Sequence, residues 1–245
     1  ILFSCFDGDG ANRTFVSHHK QGKFKHHCPP DIEGNAEKVK EFKQQQYVTW
    51  NPITKHLKFF IPDPPHVLKK MRNNWYKSGD ANEVNKIKEF NNELHTRTIR
   101  SSFTRSMQRY GCKIHWATII NALEREMIRP ISVTKLTEAH VLLDHRSKMN
   151  CGLAFSIFTH RLMNEIIEYE PSNLAVQFYM LAGINIKKVF MNYKTIKHDQ
   201  DYRLQLLDSI ASDFQKWEEE VADKRNDLPS SQVMQDIVLL TKGFA

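Results

Sequence analysis

The stretch from Leu57 to Trp75, LKFFIPDPPHVLKKMRNNW, constrains the fold more than any other part of the chain. Leu57 to Ile61 has the length and composition of a buried strand. It stops at Pro62-Asp63, and Pro64 then opens a helix. Aspartate can cap orphan amides there, and proline in the first helical position loses no intrahelical hydrogen bond. Along that helix Val67, Leu68, Met71 and Trp75 recur at three- and four-residue spacing, while Lys69, Lys70 and Arg72 fall off that face. One side is therefore expected to pack and the other to be basic, with Gly79 marking the end of the helix.

A second apolar run, Ile1 to Phe6, is broken only by Ser4 and leads into Asp7-Gly8-Asp9-Gly10-Ala11-Asn12. A buried strand ending in an acid and glycines places a carboxylate at the carboxyl end of a sheet, where open α/β folds hold ligands. Carboxylate oxygens are also what hard divalent cations require. Asp9 reads as a turn residue. The same opening resembles the first motif of haloacid-dehalogenase-type phosphatases, in which the first Asp is a nucleophile. Ala11 and Asn12 depart from that pattern, and no later strand ends in a paired-acid motif.

With 35 Lys+Arg against 28 Asp+Glu the net charge is +7, which suits a polyanionic partner. Cys5, Cys28, Cys112 and Cys151 show neither zinc spacing nor a disulfide framework, so a reducing compartment is expected. No apolar run is long enough to span a membrane. His18, His19, His26, His27 and Cys28 lack four-ligand zinc spacing and read as a solvated loop. A Lys-rich helix is expected near Ala36 to Gln46. Asp80 to Tyr110 reads as a solvated helix pair; Lys86, Lys88, Arg97, Arg100, Arg105 and Arg109 make a nucleic-acid-facing arm the alternative. Beyond it, Trp116, Ile119, Ile120, Leu123 and Met127, then Leu136, Val141 and Leu142, then Leu153, Phe155, Ile157, Phe158 and Leu162, and finally Leu204 to Val221, are spaced as helix faces with no comparable strand signal between them.

The wording Asp63-Pro64-Pro65-His66-x-Leu68-Lys69-x-x-Arg72-Asn73-Asn74 resembles a segment of the P-element type of DNA transposase, including its THAP-domain relatives. Asp7-x-x-x-x-Asn12 is similar to that family's Asp-x-x-x-x-Asn motif. The further matches are Ile114-His115-Trp116, Lys135-Leu136-Thr137-x-x-His140 and Lys148-Met149-x-x-x-x-Ala154. The resemblance implies an α+β to mainly α fold. A partial ribonuclease-H-like α/β layer over residues 1–79 is followed by an all-helical insertion of the GTP-binding type over 80–227, and 228–245 begins the return to the catalytic domain.

By the same resemblance Asp7 is the second acid of a three-acid site that holds Mg²⁺, which makes it both catalytic residue and metal ligand. Asn12, Asp63, His66, Lys69, Arg72 and Asn73 are motif positions, and Lys148 and Thr159 lie where the family contacts nucleotide phosphate. The implied activity is metal-dependent phosphodiester cleavage and strand transfer in the complete protein. Its partners would be transposon-end and target DNA, in a nuclear homo-oligomer. The first acid is expected before Ile1 and the last after Ala245; neither a THAP zinc finger nor a coiled coil is visible. GTP-binding members carry Asn-x-x-Phe-Asp where this chain has Asn185-Ile186-Lys187-Lys188-Val189. Without the Asp acceptor, a buried guanine edge loses about 1–3 kcal/mol per unmade bond, so weak guanine selectivity is expected. The alternatives are a degenerate or host-adopted derivative that binds DNA or protein without cutting, and an unrelated α-helical interaction module.

Overall fold

The computed structural model describes residues 2–6, 14, 28–45, 48–80, 103–192 and 194–244. Strand β1 (Leu2–Phe6) lies parallel to β3 (His56–Pro62), with Leu2 opposite Lys58 and Phe6 opposite Pro62. The two apolar runs are thus neighbours in one sheet. Helix α1 (Ala36–Gln44) falls in the connection between them, its first turn capped by Asn35 Oδ1, which accepts from Lys38 N at 3.0 Å.

A strand in that connection was not anticipated from the sequence. Strand β2 (Val48–Asn51) pairs antiparallel with the other edge of β3, giving the order β1-β3-β2. Val48, Thr49 and Trp50 carry the usual β-forming side chains, and Asn51 closes the hairpin by accepting from Ile53 N and Thr54 N. A run this short beside Pro52 is easily absorbed into the polar loop around it.

Helix α2 (Pro64–Trp75) follows β3 directly. It ends four residues before Gly79, so that glycine is not the helix stop. Its amide instead donates to Arg105 O at 3.0 Å, and a Cβ there would meet the Phe103 ring at 2.5 Å. Glycine is required by close approach rather than by helix termination. The separation of packed and basic faces also fails. Lys69 and Arg72 are buried along with Val67, Leu68, Met71 and Trp75, because α2 is covered on several sides.

Past the undescribed residues 81–102, the chain forms a small hairpin of β4 (Gln108–Arg109) and β5 (Cys112–Lys113) rather than a helix. Arg105 and Arg109 are consequently on neither a solvated helix nor a nucleic-acid-facing arm, while Lys86, Lys88, Arg97 and Arg100 lie outside the described residues. Arg105 Nη1 donates to Leu228 O, and the Arg109 guanidinium is buried against Tyr110 and Phe178. The helices that follow are α3 (Ala117–Ile128), α4 (Glu138–Val141), α5 (His145–Met149), α6 (Cys151–Ile157), α7 (His160–Tyr169), α8 (Leu174–Phe190), α9 (Tyr202–Glu220) and α10 (Ser231–Phe244).

The anticipated apolar faces are mostly buried: Trp116, Ile119, Ile120, Leu123, Ile157, Phe158, Leu162, Leu207, Phe214 and Trp217 are at most 3% exposed, whereas Met127 is 54% exposed at the end of α3. One contiguous core runs from Ile61 and Val67 through Trp116 and Tyr179 to Ile237 and Leu240. Helix α2 sits at its centre. Trp75 packs edge-on to Trp116 and Tyr179, Trp75 Nε1 donates to His115 O, and Tyr179 Oη donates to Met71 O. Helix α10 brings the chain back against β3 and α2, where its one buried acid, Asp236, accepts from Lys70 Nζ at 3.0 Å.

Candidate functional site

The carboxyl ends of β1 and β3 are locked together by a backbone bond from Asp63 N to Phe6 O at 2.7 Å. Phe6 is the residue before Asp7. Asp7 and Asn12 themselves lie outside the described residues.

Asp63 occupies the N-cap position of α2 in an extended conformation but makes no side-chain cap. The next two residues are prolines, so the N2 amide is missing and the His66 amide at N3 is the one a cap could still take, yet the side chain does not take it. Its carboxylate turns instead to side chains. Oδ2 accepts a short hydrogen bond from His66 Nδ1, and Oδ1 accepts from the Cys5 thiol at 3.9 Å. A carboxylate has no proton to give, so His66 carries its hydrogen on Nδ1. Burial, and then the Asp63 charge, push the Cys5 thiol above its ordinary range. Both Asp63 and His66 remain about a third exposed, at 30% and 36%. Among the described residues no group of three His, Cys, Asp or Glu side chains is arranged to hold a metal ion.

Arg72 and Asn73 lie two turns further along α2 and meet the helical part of the chain. The fully buried Arg72 guanidinium donates to the carbonyls of Ser147, Lys148 and Asn150 and to Asn73 Oδ1, while Asn73 Nδ2 donates to Lys148 O. The Ser147 and Lys148 carbonyls belong to the last turn of α5, where partial negative charge collects and a cation is favoured. Burial pulls this guanidinium down to about 10, with the Cys151 thiol opposing the shift. These two motif residues therefore clamp α2 onto α5 and the start of α6.

The two residues singled out for phosphate contact separate. Thr159 caps α7, its Oγ1 accepting from Leu162 N at 3.3 Å, and it lines a cleft of about 580 Å³ together with Phe158, Ile184, Lys187, Lys188 and Lys194. Lys148 does not line that cleft; its ammonium lies 5.0 Å from the centre of the Tyr76 ring. Gly183 lets α8 approach the cleft wall, since a Cβ there would meet the Phe158 ring at 2.2 Å. Lys187 Nζ donates to Phe155 O at 2.8 Å, and burial lowers its pKa. Val189, which stands where the sequence resemblance implied an Asp, is 5% exposed and packs into the core.

No family model and no curated protein matches the sequence. A solved structure does match it, the strand transfer complex of the Drosophila P element transposase, with 15% identity and a TM-score of 0.61 over 100% of this chain. In fold the chain is similar to that transposase. It spans 47% of the length of the matched chain, about half. At this identity the likeness extends to the fold alone.

Two structural features escaped the sequence reading. Asp236 interrupts the apolar stripe Val233, Met234, Ile237 and Leu240, and an acid on such a face signals a buried partner. Glu126 ends α3 by accepting from Ser132 Oγ and from the amides of Val133, Thr134 and Lys135. Burial alone would raise its pKa; these bonds outweigh it and hold the carboxylate at about 2.

Proposed function

We propose that this chain is the portion of a P-element-like DNA transposase that carries one acid of the catalytic site and the helical insertion. What carries this reading is fold likeness over the chain's whole length, combined with two parallel strands locked at Phe6 and Asp63 beside an Asp-x-x-x-x-Asn motif. On this reading residues 1–79 and 228–245 belong to a ribonuclease-H-like layer and 80–227 to the insertion. The complete protein acts in the nucleus as a homo-oligomer on transposon-end and target DNA.

Asp7 would hold Mg²⁺, which in such sites stabilises the attacking and leaving oxygens of a phosphodiester. In a protein that supplies the remaining acids, Asp7→Asn should abolish Mg²⁺-dependent strand cleavage. DNA binding, which depends on Lys and Arg contacts to phosphate, should keep its salt dependence. Cleavage at an undiminished rate would remove Asp7 from the site.

A second reading, a derivative that binds without cutting, draws support from the cleft. Among the described residues no carboxylate lines it, and Val189, where the family places an acceptor for guanine, packs into the core instead. Thr159 and the three lysines would leave such a cleft to take phosphate without reading a base.

A further inference from the structure

The geometry points to a carboxylate–imidazole dyad, Asp63 and His66, that presents His66 Nε2 to a phosphate oxygen of the DNA backbone. This rests on the DNA-directed reading above but not on Asp7 or on any metal. The placement is specific. The dyad stands at the carboxyl end of two parallel strands, the edge of an α/β sheet at which ligands bind. Asp63 is fixed from both sides, by its amide on Phe6 O and by the helix its backbone begins.

Asp63 does something a helix cap would not do. Pro65 withholds the N2 amide, the carboxylate takes His66 Nδ1–H rather than a helix amide, and the ring orientation follows from that bond. His66 Nε2 then has no partner among the described residues, on a side chain that is 36% exposed. When protonated, the ring is an N–H donor whose charge is already balanced by Asp63. It can therefore meet an anionic oxygen without losing orientational freedom on binding, and charge-assisted bonds of this kind are the strong ones. Lys70, one turn along α2, does not compete for the carboxylate, because its ammonium is engaged by Asp236.

Histidine-selective NMR on this chain, with a short DNA duplex titrated in at low salt, tests the assignment. In the free protein His66 should show hydrogen on Nδ1, and its ring resonances should move as duplex is added. His66→Ala should weaken duplex binding about tenfold, the low end for a hydrogen bond to a charged group. His66→Gln, whose amide reaches towards the Nε2 position, should recover part of that loss, and Asp63→Asn should bind a few-fold more weakly with His66 still present. Thermal unfolding of each variant checks that the fold persists. Duplex bound with unshifted His66 resonances and unchanged affinity in His66→Ala overturns the dyad's role while leaving the DNA-directed reading in place. No duplex binding by the unsubstituted chain overturns both.

Discussion

Replacing Arg72 should reveal how much the junction between sheet and helices depends on one guanidinium. Its stem is fully buried, so truncation to Ala forfeits about 2 kcal/mol of apolar burial. The bonds to three carbonyls are made by a charged donor, worth at least about 1.5 kcal/mol each. Each carbonyl keeps a second donor after the substitution: Asn150 N on Ser147 O, Asn73 Nδ2 on Lys148 O and Ala154 N on Asn150 O. None is orphaned, so the full desolvation penalty does not apply. Against these losses stands relief of the buried charge, since holding the guanidinium at about 10 costs the folded state on the order of 3 kcal/mol. The net expectation for Arg72→Ala is a loss of about 3 kcal/mol, a large fraction of the roughly 5–15 kcal/mol of an ordinary domain. Arg72→Lys keeps the desolvation cost but loses the planar fork, and should still lose about 2 kcal/mol. Equilibrium urea unfolding at pH 7 measures both. A variant Arg72→Ala within about 1 kcal/mol of the unsubstituted chain would refute the clamp.

The loop after α3 should be acid-sensitive through Glu126. Its folded pKa is depressed to about 2, so its stabilisation is fully present above the unfolded carboxylate range near 4.3 and is lost as pH falls towards 2. Glu126→Gln should accordingly flatten the fall in stability between about pH 5 and 2, by up to about 2 kcal/mol; parallel curves for the two proteins would contradict this. At the cleft, titrating GTP against ATP should give weak binding with no preference, because among the described residues no carboxylate lines it to accept from guanine. A clear preference for GTP at sub-millimolar affinity would show that another group reads the base.

Much of the local structure was legible in the sequence. The runs Ile1–Phe6 and Leu57–Ile61 are apolar over strand length, and the helix after Asp63 repeats its large side chains at helical spacing, so both followed from patterns within a few residues. The later helix faces behaved alike, because a stripe such as Leu207, Ile210, Phe214 and Trp217 has no stable alternative to burial. Strand β2 was not legible, since its four residues become a strand only when β3 offers a free edge to pair with. Nor was the fate of the charges. Lys69, Arg72 and Arg109 look like surface residues by spacing, yet they are buried because α2 is enclosed by α6, α8 and α10 and the β4–β5 hairpin packs against α8.

The sequence by itself determined the two apolar strands and the main helix faces, though not β2 or the β4–β5 hairpin, and placed Asp63 at the start of a helix, because propensity, capping and periodicity are local properties. The tertiary structure decided what the side chains at those positions touch. The Asp63 carboxylate meets the His66 ring and the Cys5 thiol, the Arg72 guanidinium meets three carbonyls more than seventy residues away, and Val189 packs inward. These outcomes rest on contacts between distant elements, whose free energy exists only once the chain has closed on itself.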